Sequence, residues 1–299
     1  MTNKWMLLVA ALLSTAAFAA PATQFSKQVP VGNQDWVTVS NVAGSVTITT
    51  WDRREVDVQG ELGSDVERVE VNQQTGNVEV RVVVKEGNWF NSHSSENSQT
   101  RLQIKVPADV QPDVNTVSAN ITVSGVRGKL RLQSVSGDIR SDFPGSDLEA
   151  KTVSGNIELT GGNAEARVRA TSVSGNVRAA HIKGDVDART VSGNLDFEML
   201  AAGEVRGHTV SGNIGITGGL ASDTDVELQS VSGRVKVAAQ APAGYRYDVS
   251  SFSGNIRNCF GYEVEKSQGR SNRMNGVRGE GKGSVSVKSH SGGVELCDR

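Results

Sequence analysis

Ligands for metal ions are scarce in this chain. Two cysteines and four histidines occur in 299 residues, and His93, His181, His208 and His290 lack the i, i+4 or paired-cysteine spacing of a zinc site. No metal or cofactor site is therefore predicted. An excess of one charge is also missing, since 31 lysines and arginines balance 33 aspartates and glutamates. That balance excludes the basic footprint of a nucleic-acid binder. Four methionines and six prolines against 33 glycines agree with a β protein rather than a helical one. Beyond residue 20 no apolar run approaches the roughly 20 residues that cross a bilayer, so no membrane span is expected after removal of a leader. The sequence has no Gly-x-Ser-x-Gly elbow, and its many Ser-Gly pairs have no evident histidine and aspartate to activate them. No catalytic residue is predicted, and the chain reads as a non-enzyme.

The first residues are organised differently. Lys4 precedes the apolar run from Met6 to Leu13, and Ala17 and Ala19 frame a small-residue cleavage step. This pattern predicts a signal peptide over residues 1–19 and export to the periplasm, cell surface or medium.

Internal repetition is the strongest signal. A Val-Ser-Gly-Asn word or a variant of it begins at Val117, Val135, Val153, Val173, Val191, Val210, Val231, Phe252 and His290, with spacings of 18, 18, 20, 18, 19, 21, 21 and 38 residues. Apolar residues alternate on either side, as at Leu130 and Leu132 before one word and Ile139 after it. Alternation at period two marks a strand with one buried face. The parity changes across the word, which predicts a corner there, with glycine supplying positive φ and Asn or Asp tolerating the left-handed region. The expected corner residues are Gly137, Gly155, Asn156, Gly175, Asn176, Gly193, Asn194, Gly212, Asn213, Gly233, Gly254 and Asn255. Stacked asparagines of this kind satisfy one another's amides and the backbone, so their predicted role is structural.

A unit of about nineteen residues cannot bury an apolar face alone, but stacked copies can. The predicted fold is all-β: a parallel β-solenoid of such coils over residues 117–299, continuous with an irregular N-terminal β cap over residues 20–116. A sandwich of β-hairpins is the competing architecture. Within the cap, the polar run between Gly87 and Thr100 reads as a loop, and its Trp89 and Phe90 are either candidate contact residues, because exposed aromatics often anchor recognition, or a cap tucked against the solenoid.

The cysteines fall at one position of the repeat. Ser251 to Cys259 aligns without a gap on Ser289 to Cys297. A loop over Gly261–Gly283 would make these rungs neighbours and allow a Cys259–Cys297 disulfide, whereas a full intervening coil would hold them too far apart. The disulfide is the predicted outcome, clamping the C-terminal edge. Asp185, Asp187, Asp196, Glu149, Glu158, Glu165 and Glu227 read as outward charges of a solvated face.

The repeated words, the run from Gly44 through Trp51 to Asp52, and the step from Ile104 through Val106 to Pro107 together resemble a bacterial β-strand-repeat family known as "putative adhesins", a domain family of unknown function. The resemblance covers about residues 30 to 299. It implies an extracytoplasmic β-repeat body without known catalytic residues. The expected function is a non-enzymatic binding or structural module of the cell envelope, whose partner is an envelope glycan or an envelope protein. The alternatives are a β-helix-type polysaccharide-active enzyme and a partner of an envelope-stress regulatory system. Oligomeric state is left open.

Overall fold

The computed structural model describes residues 23–85, 99–240, 244–266 and 271–297. The predicted signal peptide and the Trp89–Phe90 pair lie outside them. Among the described residues every element is a β-strand, and 22 strands join in one sheet. The fold is all-β and solenoid-like.

Two parallel ladders run the length of the stack. In the first, Val39 pairs with Val114, which is followed in turn by Leu132, Ala150, Ala170, Ala188, Gly207 and Leu228. In the second, Val46 is followed by Ile121, Ile139, Ile157, Val177, Leu195, Ile214 and Val235. These inward side chains are buried, each apolar one contributing roughly 1.5–3 kcal/mol when large. Parallel pairing of strands in successive repeats excludes a sandwich of hairpins here. Packing explains the small residues of the first ladder: a Cβ on Gly207 would lie 3.0 Å from the Phe197 ring and 3.0 Å from Leu228, so the glycine leaves room for a phenylalanine.

At the word itself the reason for glycine differs from the expectation. Among the predicted corner glycines only Gly233 has a positive φ, at 157°. What excludes a side chain is the rung beneath. An ideal Cβ on Gly155, Gly193 or Gly212 would lie 2.0, 2.1 or 1.8 Å from the carbonyl oxygen of Gly137, Gly175 or Gly193. The left-handed glycines, such as Gly184 at 109° and Gly218 at 97°, stand instead at the opposite bends, inside the long strands Val177–Ser192 and Ile214–Ser232.

Outward charges alternate from rung to rung. Asp113, Arg131, Glu149, Arg169, Asp187, Arg206 and Glu227 are consecutive partners along one ladder. Arg140, Glu158, Arg178 and Asp196 alternate on the other. Exposed pairs contribute at most about 1 kcal/mol each, but omission of any interior rung of either series would bring like charges together.

Strand Trp36–Trp51 is the first rung to span both ladders, and strand Gln111–Ser124 lies on it throughout. Beyond it the stack is closed by antiparallel strands: Val66–Gln74 on Asn77–Val84, Glu55–Leu62 on Gln99–Pro107, and Thr23–Pro30 outermost on Glu55–Leu62.

The far end departs from chain order. Strand Tyr245–Ser251 does not lie on Ile214–Ser232; strand Gly283–Ser289 enters between them and pairs in parallel with both. Likewise Val294–Leu296 lies between Val235–Gln240 and Ile256–Asn258. The charges agree with this order. Glu295 separates Lys236 from Arg257, and Ser286 separates Glu227 from Asp248. Stacking in chain order would have set like charges face to face. The segment Gly261–Gly283 is not a coil: it holds strands Glu265–Lys266 and Asn272–Val277, the latter antiparallel to Tyr245–Ser251. The 38-residue spacing between the last two words is thus the length of a detour.

Candidate binding ridge and groove

The corner is held by side chains on both sides of the glycine. Each asparagine or aspartate Oδ1 accepts the backbone N–H at the same position of the next rung: Asn156 from Asn176 at 3.0 Å, Asn176 from Asn194 at 2.9 Å, Asn194 from Asn213 at 2.9 Å, and Asn213 from Arg234 at 2.9 Å. Asn120 and Asp138 begin the row in the same way. Arg234 has no side-chain acceptor, and the row stops there.

A second row, of hydroxyls, was not singled out from the sequence. Every word is preceded by serine or threonine: Thr116, Ser134, Thr152, Ser172, Thr190, Thr209, Ser230, Ser251 and Ser289. These side chains are buried. Ser172 Oγ accepts from the Gly175 N–H at 2.9 Å and donates to the Gly155 carbonyl at 3.3 Å, joining its own corner to the rung beneath. Thr152 makes the same pair of bonds with Gly155 and Gly137. An unbroken column of nine hydroxyl residues was the signal that could have revealed them.

Strand alternation carries through the hydroxyl and turns the following residue outward. Val117, Val135, Val153, Val173, Val191, Val210 and Val231 are therefore 38–47 % exposed, one on each rung. Apolar surface laid out in a line this regular is unusual for a protein exterior. The row continues through His290 and Phe252, whose rings stack 4.8 Å apart. On one side it is bordered by exposed serines such as Ser154 and Ser174. On the other side a shallow groove separates it from a polar row: Asn115, Gln133, Lys151, Thr171, Arg189, His208, Gln229 and Lys288, consecutive partners along the ladder. The buried hydroxyls form the floor. Two hollows mark the groove, one of about 400 Å³ around Lys151 and Val153 and one of about 510 Å³ around Arg189, His208, Lys288 and Val231.

The carboxylates singled out in the sequence do not converge. Asp187 meets Arg189 at 3.1 Å, Glu158 meets Arg140 at 3.3 Å, and Glu149 pairs with Lys151. The hydrogen bond from Lys151 holds the Glu149 carboxyl below its ordinary range, helped by the charges of Lys151, Arg169 and Arg131 and opposed by partial burial. Glu165 and Lys183 are 3.8 Å apart, as are Asp185 and Arg167. Glu227 accepts from Gln229 at 2.7 Å. No group of three His, Cys, Asp or Glu side chains suited to a metal occurs among the described residues.

Cys259 and Cys297 form a disulfide, with Cα atoms 4.9 Å apart. The Cys259 N–H donates to Leu296 O and the Cys297 N–H to Val237 O, so the bond joins the inserted rung to the one outside it.

The profile of the family described as Toastrack DUF4097 matches residues 37–242 and again 203–296. The chain belongs to this family. Among solved structures, the Toastrack chain is similar to a "putative lipid binding protein" from Parabacteroides distasonis, with 12% identity, 91% of this chain and 96% of that one covered, and a TM-score of 0.52. A "putative adhesin" from Bacteroides fragilis shares 11% identity over 92% of this chain and 98% of its own, with a TM-score of 0.40. A "putative cell adhesion protein" from Clostridium sporogenes shares 10% identity over 93% and 100%, with a TM-score of 0.32. Identities this low speak to fold alone. None of the curated proteins matches the chain.

Proposed function

We propose that this Toastrack protein is an exported, non-enzymatic binding module of the cell envelope. The observation that carries the reading is the line of exposed valines, one per rung, on a frame whose corners are fixed by glycine packing and two hydrogen-bonded rows. Such a surface is rigid and repetitive, which suits contact with an extended partner and offers no convergent acid, base or nucleophile. The leader-like N-terminus and the disulfide support export, because disulfides persist in oxidising compartments. No helix among the described residues is long and apolar enough to cross a membrane. In this reading residues 20–116 cap one end of a stack of coils of about nineteen residues, and residues 117–299 form its regular body.

Co-sedimentation of the mature chain with cell-wall sacculi and with outer-membrane vesicles tests the proposal, with saccharide release assayed in the same tubes. Saturable binding without release is expected. Release of sugar would overturn the non-enzymatic assignment, and absence of binding to either material would redirect the search to a protein partner.

A further inference from the structure

The groove beside the valine row differs in charge from its surroundings. The neighbouring outward columns alternate in sign, but the groove's polar row contains Lys151, Arg189, His208 and Lys288 and no carboxylate. Lys151 and Arg189 lean on Glu149 and Asp187, one column farther out on their own strands. His208 and Lys288 have no ion-pair partner among the described residues. With His290 beside Lys288 at one end, the groove offers a line of cationic and neutral donors facing a line of C–H surface.

Shape narrows the choice of occupant. At about 4.8 Å per rung the Lys151 to Lys288 span is roughly 24 Å, and the whole row of nine words roughly 38 Å. A strip about 10 Å wide then presents roughly 400 Å², half of the about 800 Å² per partner found in stable protein interfaces. A second copy of the chain is thus too large a body for so narrow a surface. An acyl chain would keep one side in water, because the groove is shallow, and would gain little by leaving a lipid phase. A linear polysaccharide fits better. An extended β-linked chain advances by close to one rung per sugar, its ring C–H faces can lie on valine methyls, and its hydroxyls can meet the Ser, Asn and Gln side chains that border the row. The excess of cations calls for acidic sugars.

We propose that this groove binds a linear carboxylate-bearing polysaccharide laid along the stack, with Lys151, Arg189, His208 and Lys288 meeting its carboxylates. The proposal rests on the envelope-binding reading and names the partner class of that surface.

The test is titration calorimetry of the mature, disulfide-intact chain with β-1,4-linked oligoglucuronates of graded length and with neutral cello-oligosaccharides, which share that linkage, of the same lengths. Affinity for the acidic series should rise until the oligomer spans the Lys151 and Lys288 rungs, about six sugars at one per rung, and then level off. The neutral series should bind roughly tenfold more weakly or not at all. The combined Lys151→Gln, Arg189→Gln and Lys288→Gln variant should lose roughly tenfold in affinity at an unchanged melting temperature, and Val191→Asp should weaken binding as well. Lys236→Gln, a single lysine-to-glutamine change on the other ladder, should stay within about twofold, and each single groove substitution should fall short of the triple variant's loss. Equal affinity for both series, undiminished binding by the triple variant, or no binding of any oligoglucuronate would overturn the proposal. Sedimentation with sacculi or vesicles separates the two readings. If the triple variant sediments like the parent, the envelope module stands and the groove falls; if oligoglucuronate binds but the parent sediments with neither material, the reverse holds.

Discussion

The carbonyl oxygen of Gly155 lies 1.8 Å from the place where a Cβ on Gly175 would be. Backbone rather than a flexible side chain occupies that space, so the contact cannot be relieved by a rotamer change. Gly175→Ala should therefore destabilise the protein by about 3 kcal/mol, the upper end of ordinary overpacking. Gly76→Ala provides the contrast: Gly76 has φ at 77° with nothing within 4 Å of the new methyl, so it should lose only about 1 kcal/mol through backbone strain. Urea midpoints of the two variants give the comparison, and an equal loss would remove the packing explanation for the corner glycines.

Thr152→Val keeps the shape of a buried side chain and removes its hydroxyl. The Gly155 N–H, 3.1 Å from Thr152 Oγ1, would then have no acceptor, at a cost of about 1–3 kcal/mol. Thr152→Ser should recover most of the loss. If valine proves as stable as threonine in urea denaturation, the hydroxyl row does not hold the corners.

Reduction of Cys259–Cys297, or Cys297→Ser, should cost about 3–4 kcal/mol in the chain-entropy model for a 38-residue separation. The effect should be local. Hydrogen exchange is expected to quicken in strands Tyr245–Ser251 and Gly283–Ser289 and to stay slow at Leu130–Ser134 and Leu148–Lys151. Uniform acceleration over all four strands would mean that the stack unfolds as one unit.

Tyr245 gives the stability an alkaline limit. Burial pushes its phenol from 10.0 up to about 12, with the nearby charge of Asp223 adding to the rise and a hydrogen bond with Thr224 opposing it. The unfolded chain releases this proton near pH 10 while the folded chain holds it to about pH 12. The contribution is thus complete below pH 10 and is lost as pH rises through that window. Tyr245→Phe should flatten the fall in stability between pH 10 and 12 while removing the 2.7 Å bond to Ala221 O. A parent and variant with parallel pH profiles would show that Tyr245 is not responsible.

Much of the stack was legible because each rung repeats its own pattern. The inward positions of Leu130, Leu132 and Ile139, the site of the corner, and the equivalence of Cys259 and Cys297 all follow from comparing one repeat with the next. The exposed valines were legible too, but only by continuing the alternation one residue further: Leu132 in, Gln133 out, Ser134 in, Val135 out. An apolar residue beside a glycine invites the assumption of burial, and burial depends on which way the strand points when the corner begins. The crowding at Gly155 was not legible, since a glycine required by a neighbouring rung and one required by its own φ are the same letter. Nor was the order of the last rungs. Repeats show that two segments are equivalent, whereas their order along the stack is decided by pairings between rungs such as Lys236 with Glu295 and Glu295 with Arg257.

That order bears on how the molecule can be made. Residues 245–258 leave the ribosome, and in an exported chain cross the membrane, before residues 283–297 that belong beneath them. The growing stack therefore cannot be completed from one end to the other by simple addition. The Val231 rung must wait with an open edge, or accept the Phe252 rung as a stand-in and later give it up. Only when residues near Leu296 arrive can the final two layers take their places and the cysteines meet. A ribosome stalled between Ser253 and Gly283 would leave a β-edge exposed, with its natural cover not yet synthesised.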